Sequence, residues 1–187
     1  MKVIENDLVM GSSGKIGKML VFRQVAGKTI IAKRGIRTAP FTENQEAIKE
    51  RFKEATLYAK AVTNDPIRKQ WYEALVKPGQ SAYNLALADF CKSPTIKKIT
   101  LTAYNGQIGN EILIRAVDNF SVETVQIELV DTNGNNIETG VALLQENGLD
   151  WIYTVTANNP TLLGTTIRVT ATDLPGNQTI KEEVIQV

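Results

Sequence analysis

A change of charge and hydrophobic rhythm near Ser93-Pro94 is the feature that most constrains how this chain can fold. Residues 1–95 carry 16 Lys and Arg against nine Asp and Glu, whereas residues 96–187 carry five against 11. The formal net charge of +1 for all 187 residues conceals this opposition. At the same point, apolar residues change from helical spacing to the alternation of short strands. We therefore predict two modules, residues 1–94 and residues 95–187.

The first module begins with a predicted β-hairpin. Residues 18–25 and 29–34 are both rich in β-branched and apolar residues, and Gly27 lies in the short gap between them. Two such runs separated by about three residues are typical of a hairpin. The glycines before it, between Gly11 and Gly17, predict a loop.

Three helices are predicted after the hairpin. Thr42-x-x-Gln45 is a capping box, and Asp65-Pro66 combines a good N-cap residue with proline at the first helical position. The third helix is expected over residues 81–91. The first helix should bury the apolar residues that recur every three or four positions, which are Ile48, Phe52, Ala55, Ala59 and Val62. The second should turn Ile67, Trp71 and Leu75 inward, with Tyr72 as a further candidate.

The second module has the pattern of an all-β domain. Seven short strands are predicted, separated by turns rich in Asn, Gly and Pro. Their number and spacing favour an immunoglobulin-like β-sandwich, with Trp151 and Tyr153 on a core face. The strands are expected at residues 96–102, 111–117, 124–131, 141–145, 151–157, 165–172 and 178–185.

The composition argues against catalysis. The chain has no His and a single Cys, Cys91. It therefore lacks the usual general base near neutral pH and the residues for a disulfide framework or a Cys-based zinc site. Cys91 is predicted to be a buried, inert thiol. We expect a non-enzymatic protein with no cofactor, metal or small-molecule substrate.

The sequence also bears on location. Glu5 and Asp7 interrupt the N-terminal stretch where a secretory signal would be apolar, and no run of 18 apolar residues occurs. No membrane span is expected. These features favour a cytoplasmic protein, or one incorporated into a particle without the usual export route.

Seven basic residues without an intervening acid form the candidate interaction surface: Lys15, Lys18, Arg23, Lys28, Lys33, Arg34 and Arg37. Such a hairpin can dock on an acidic protein surface, including another copy of the chain. Alternatively, it can bind a nucleic-acid backbone, although Phe22 is the only aromatic residue available for stacking. A solvated, aggregation-resistant face is the third interpretation.

Two ligand-binding alternatives have weaker support. The segment Gly11–Lys18 is rich in glycine and lysine, but it lacks the G-x-x-x-x-G-K-[ST] spacing and precedes a predicted strand rather than a helix. A calcium site built from Asp118, Asp131 and Asp173 in the β-loops is the other alternative, although Asn-Gly turns need no metal.

Two resemblances add to this interpretation. Ala171-Thr-Asp-Leu-Pro-Gly-Asn177 resembles the A-x-D-x-x-G-N signature of bacterial immunoglobulin-like modules, which implies that Asp173 and Asn177 fix a turn and that the domain is a stalk, spacer or adhesive unit. Gly11-Ser-Ser-Gly-Lys-Ile-Gly17 is similar to the G-x-S-G-K-x-G motif of an uncharacterised Bacteroidetes family. In that family a hairpin, a T/S-x-x-Q segment and an R-F pair follow, here Thr42–Gln45 and Arg51-Phe52.

Together these features predict an α+β protein with a basic hairpin-and-helix module and an immunoglobulin-like sandwich. The predicted role is a structural subunit of a filament, surface layer or virion-type particle. Modules of opposite charge attract head to tail, and contacts of that kind build rings or filaments. Nucleic-acid binding through residues 15–37 is the alternative.

Overall fold

The computed structural model describes residues 2–3, 9–35 and 39–186. The fold is mixed α+β, with three helices and three mostly antiparallel sheets, which confirms the predicted class. The chain forms two compact units, residues 1–46 and 47–187, so most of the helical segment shares a unit with the C-terminal strands. The predicted division of roles after Pro94 stays a prediction.

The first unit contains a four-stranded sheet in the order β1-β4-β3-β2. The predicted hairpin is formed by its two longest strands, and β2 forms within the glycine-rich segment that was expected to be a loop. The strands are β1 (Lys2–Val3), β2 (Gly14–Ile16), β3 (Leu20–Val25) and β4 (Lys28–Lys33).

A two-residue turn connects β3 to β4. Its residues, Ala26 and Gly27, both have positive φ, at 50° and 75°. A type I′ turn requires this conformation at both positions, and its twist matches that of the flanking strands. Gly27 adopts it without cost, but an L-residue with a Cβ is strained there. Ala26 is the only residue other than glycine with positive φ in the part of the chain that the structure describes.

We predict that Ala26→Asn stabilises the hairpin by about 1 kcal/mol, because Asn tolerates the left-handed conformation that Ala26 is forced to adopt. The measurement is amide hydrogen exchange in β3 and β4, which should slow. Gly27→Ala is the opposing control and should speed exchange, since a Cβ at Gly27 meets no atom within 4 Å and acts through φ alone. Unchanged exchange in both variants would contradict the assigned turn.

The three helices are α1 (Glu43–Asn64), α2 (Pro66–Glu73) and α3 (Ala82–Cys91). Their predicted N-terminal signals are confirmed. The Gln45 side chain accepts a hydrogen bond from the Thr42 N–H at 3.3 Å, and Asp65 caps α2 by accepting from the N–H groups of Ile67 and Arg68. Ser81 caps α3 in the same way. None of the helices within the described ranges is long and apolar enough to cross a membrane.

The helices bury only part of the predicted set of side chains, including Ala55, Ala59 and Val62 of α1. In α2 the buried residue is Tyr72, whereas Ile67, Trp71 and Leu75 are 65%, 49% and 54% exposed. The inward orientation predicted for those three residues is therefore wrong. An eight-residue helix offers two turns, too few for periodicity to fix its buried face, and the partners of Tyr72 decide the orientation instead. In α1 the face is buried from Ala55 onward, while Ile48 and Phe52 are exposed.

The remaining strands form two sheets that share one hydrophobic core, here called the paired sheets. One has the order β5-β6-β10-β9 and the other β12-β11-β7-β8. Trp151 and Tyr153 lie in the shared core as predicted, at 6% and 5% exposure. The strands are β5 (Thr95–Thr100), β6 (Glu111–Val117), β7 (Val122–Val130), β8 (Asn136–Val141), β9 (Leu143–Leu144), β10 (Asp150–Thr154), β11 (Thr166–Asp173) and β12 (Gln178–Val184).

The strand predicted at residues 141–145 is two strands in different sheets. β8 pairs with β7, and β9 pairs with β10. Between them the buried Ala142 donates its N–H to the Val125 carbonyl at 2.8 Å. The chain thus changes sheets within one residue. The Asn-rich start of β8 reads as a turn in sequence, and this is why the prediction began the strand too late.

Candidate interaction surface

Six of the seven predicted basic residues lie in the part of the first unit that the structure describes, and all six are exposed. Arg37, the seventh, lies outside the described residues. Lys15 is on β2, Arg23 on β3, and Lys28 and Lys33 are on β4. Lys18 lies in the turn before β3, and Arg34 directly follows β4. The sheet therefore collects cations from three neighbouring strands.

Strand register places three of these cations on one face. Lys15 pairs with Val21, Arg23 with Ile30, and Val25 with Lys28. Side chains directly opposite each other on paired strands point to the same face, and so do side chains two residues apart along one strand. Arg23 is thus a diagonal neighbour of both Lys15 and Lys28, about 7–8 Å from each at the backbone, and Lys15 and Lys28 lie on either side of it. We call these three residues the basic face. Lys33 pairs with Leu20 and points to the other side.

Part of the opposite face, around Phe22 and Thr29, is covered by residues 11 and 12 of the same chain. The Gly11 N–H donates to the Thr29 hydroxyl at 3.0 Å, and the Gln24 amide donates to the Ser12 carbonyl at 2.9 Å. Thr29 and Phe22 are 3% and 7% exposed there. The only aromatic side chain of the basic segment is therefore buried away from the basic face.

The six basic residues of the first unit and the acidic residues of the paired sheets differ in whether they form ion pairs. Within the described ranges, none of the six cations forms an ion pair. By contrast, Arg168 bridges Glu128 and Glu182, each at 2.6 Å, and Arg115 holds Asp150 at 2.8 Å. The Arg115 hydrogen bond is the main cause that lowers the pKa of Asp150 to about 2. The acidic charge of the C-terminal half is thus partly consumed within the fold, whereas the basic charge of the sheet stays available.

The glycine-rich segment feeds a strand, as the hairpin prediction requires. Lys15 lies within β2, and the turn at Gly17, with φ of 57°, leads into β3. A phosphate-binding loop instead places its N–H groups at the start of a helix. The local geometry therefore provides a turn in an antiparallel sheet.

The three acids of the proposed calcium site are not brought together. Asp131 follows the end of β7, where it accepts hydrogen bonds from the N–H groups of Asn133 and Asn135. Asp173 pairs with Val122 at the other end of that strand. Among the described residues, no group of three or more His, Cys, Asp or Glu is arranged to hold a metal ion.

A buried carboxyl group lies where the helices meet the paired sheets. Asp89 of α3 is fully buried and accepts hydrogen bonds from the Tyr72 hydroxyl at 2.7 Å and from the Asn119 amide at 3.3 Å. Tyr72 also bonds to the Tyr58 hydroxyl at 2.9 Å. Its ring stacks on Phe120, with centroids 4.1 Å apart. One carboxyl thus connects all three helices to the β6–β7 loop.

The β11–β12 turn makes a second connection to the helices. As the signature implies, Asp173 accepts from the Asn177 N–H at 2.6 Å and from its side-chain amide at 2.8 Å. Asn177 also forms two hydrogen bonds that the signature does not imply. It donates to the Phe90 carbonyl at 3.1 Å and accepts from Arg51 at 3.2 Å. The turn therefore holds both α1 and α3.

Burial changes the acidity of this cluster. It is the main cause that raises the pKa of Asp89 to about 7, and the negative charges of Asp118 and Asp173 raise that pKa further. The hydrogen bond from Tyr72 acts in the opposite direction. Burial also raises the pKa of Asp173. Among the described residues, Asp118 Oδ1 is buried with no hydrogen-bond partner, and Asp118 is one of the groups whose charge acts on Asp89. The cluster can hold a proton at the helix–sheet contact.

Sequence reasoning missed Asp89 and misplaced Cys91. Asp89 shares its helix face with Ala82 and Ala86, and an acid on a face of small apolar residues was the available signal. Such a face permits close approach, and an acid there requires partners. Cys91 is exposed, so its predicted burial is wrong. It is the last residue of α3 and lies beyond the buried face.

Comparison of the chain with protein-family models, with curated proteins and with solved structures returns no match.

We predict that Asp89→Asn flattens the pH dependence of stability. A folded-state pKa above the unfolded value gives stability that is complete below about pH 4 and is lost as the pH rises to about 7. Between about pH 5 and about pH 8 the loss should be on the order of 3 kcal/mol. Asn cannot ionise, so most of this loss should disappear, and the part due to Asp173 should remain. Urea unfolding of wild type and of Asp89→Asn at the two pH values measures the loss of stability in each.

Glu123→Gln is the matched control, because it removes the same charge from an exposed position on β7. This variant should follow the wild-type pH dependence. An equal loss of stability with rising pH in wild type and Asp89→Asn would show that Asp89 does not carry the proton.

Proposed function

We propose that this protein is a non-enzymatic structural subunit of a larger assembly, such as a filament, surface layer or virion-type particle. In this proposal the basic face binds an acidic surface of a neighbouring protein, and residues 95–187 serve as an immunoglobulin-like spacer. The observation that carries the proposal is the basic face itself. Three exposed cations from three strands lie on one side of a sheet whose other side is partly covered, around Phe22 and Thr29.

The strand order supports the immunoglobulin-like assignment. If β5 to β12 are lettered A, B, C, C′, D, E, F and G, one sheet reads A-B-E-D and the other G-F-C-C′. This is the arrangement of immunoglobulin domains, which bury a core between two such sheets. Domains of this architecture serve many functions, so the strand order supports the spacer role only by analogy.

The surroundings of the basic face favour a protein partner over nucleic acid. The cations alternate with aliphatic residues, among them Val25, which is 50% exposed. Single-stranded nucleic acid is usually bound on exposed aromatic side chains, and Phe22 is buried on the other side of the sheet. A mixed aliphatic and cationic surface is better suited to an acidic protein surface with apolar contacts between the charges.

The test compares two triple variants of equal charge. Lys15→Glu, Arg23→Glu and Lys28→Glu together invert the basic face. Lys18→Glu, Lys33→Glu and Arg34→Glu change the charge equally but elsewhere on the same unit. Sedimentation equilibrium at low salt should show concentration-dependent assembly in wild type, weakened at least about tenfold by the first triple and about threefold or less by the second.

Two results would overturn this proposal. Equal weakening by both triples would mean that only net charge matters and that no face is involved. Tight binding of duplex DNA, lost in the first triple and falling steeply with salt, in a protein that stays monomeric would assign the face to nucleic acid.

A further inference from the structure

One side of the paired sheets is formed by a single continuous segment, residues 136–149, here called the open edge. β8 is the last strand of one sheet, and β9 is the last strand of the other. Because Ala142 links them directly, the same stretch of chain forms the end of both sheets. A terminal strand presents backbone N–H and C=O groups that can pair with another strand.

The open edge is unusually apolar. Val141, Leu143, Leu144 and Leu149 are 61%, 72%, 50% and 46% exposed. A cleft of about 200 Å³ lies beside β9, and Leu144, Leu149, Trp151 and Phe120 are among its lining residues. Apolar side chains around a cleft at a strand edge offer a place for the side chains of an added strand.

The centre of the open edge lacks the usual protection against pairing, and Glu138 and Glu146 lie on either side of it. Residues 136–149 contain no Lys, Arg or Pro, and residues 139–145 contain no charged residue at all. Glu138 is engaged within the fold, where one carboxylate oxygen accepts from the Tyr153 hydroxyl at 2.9 Å and from the Thr156 hydroxyl at 2.7 Å. Natural edge strands are normally interrupted by such charges or by proline.

The opposite side of the paired sheets shows that protection. β5 follows Pro94 and carries Lys97 and Lys98. β12 lies beside β5, where the Thr179 hydroxyl donates to the Pro94 carbonyl at 2.6 Å and Lys181 reaches the Lys97 carbonyl at 3.5 Å. One side of the same fold is thus closed and carries lysines, while residues 139–145 on the other side carry no charge.

We infer that the open edge is a self-association surface, on which a second copy of the chain pairs its own open edge in an antiparallel, two-fold symmetric contact. A symmetric contact places each charge near its own counterpart, so only a nearly neutral segment can pair with itself without repulsion. Residues 139–145 meet this requirement. The segment also contains no proline and a single glycine, as segments that pair with themselves usually do.

This inference is independent of the basic face. A contact made by apolar side chains and backbone hydrogen bonds should persist at high salt, whereas a contact made by exposed cations should weaken. Failure of one surface can therefore be distinguished from failure of the other.

The experiment is sedimentation equilibrium of the full chain at about 1 M salt, where screening reduces charge contacts. Wild type should approach twice the 20.6 kDa chain mass as concentration rises. Leu143→Lys and Leu143→Glu place either charge at the most exposed apolar position of the edge. Each should raise the dimer dissociation constant at least about tenfold.

Ile180→Lys is the matched control, because Ile180 is 58% exposed on β12, at the closed side. It should dimerise like wild type. A wild type that stays monomeric up to about 1 mM at high salt would overturn the inference. Equal dissociation of Leu143→Lys and Ile180→Lys would overturn it too, whereas an effect confined to the two Leu143 variants supports it.

Discussion

Asp89, a buried carboxyl group, is the contact around which the helices are arranged on the paired sheets. A carboxyl removed from water is strongly destabilising unless its oxygens are bonded or its proton is retained. Here Tyr72 and Asn119 bond to its oxygens, and burial favours the protonated form. Each donor must stay in place for Asp89 to be tolerated. The orientation of α2 and the conformation of the β6–β7 loop therefore depend on this contact.

Other contacts take their positions around Asp89. With Tyr72 turned inward to reach it, Ile67 and Trp71 of α2 are left exposed. Asn177 links the β11–β12 turn to α3 one residue further along, through the Phe90 carbonyl. The helices thus behave as an extension of the paired sheets, and the charged sheet of residues 1–46 is left as the separate unit.

The local features of this fold could be predicted from the sequence, because they depend on a few neighbouring residues. The Gly27 turn, the Asp65 and Ser81 caps and most strand positions are examples. The exposure of the cations was also predictable, since Lys and Arg are rarely buried without a partner.

Features that depend on distant parts of the chain could not be predicted in this way. The buried face of α2 is set by the contacts of Tyr72 with Asp89 and Phe120, which follow Tyr72 by 17 and 48 positions in the sequence. The periodicity of an eight-residue helix contains no information about either contact. The division of residues 136–144 between two sheets depends on β7 and β10 in the same manner. The open edge became visible only once the strand order was known.

The most direct measurement is whether the helices and the paired sheets unfold at the same urea concentration. The chain has two tryptophans, Trp71 on α2 and Trp151 in the core of the paired sheets. In Trp151→Phe the fluorescence reports on the helices, and in Trp71→Phe it reports on the sheets. Within each variant, we expect the urea transition seen by fluorescence to coincide with the backbone transition followed by circular dichroism of the full chain. If the helices lose structure at a clearly lower urea concentration than the sheets, the Asp89 contact does not hold them together.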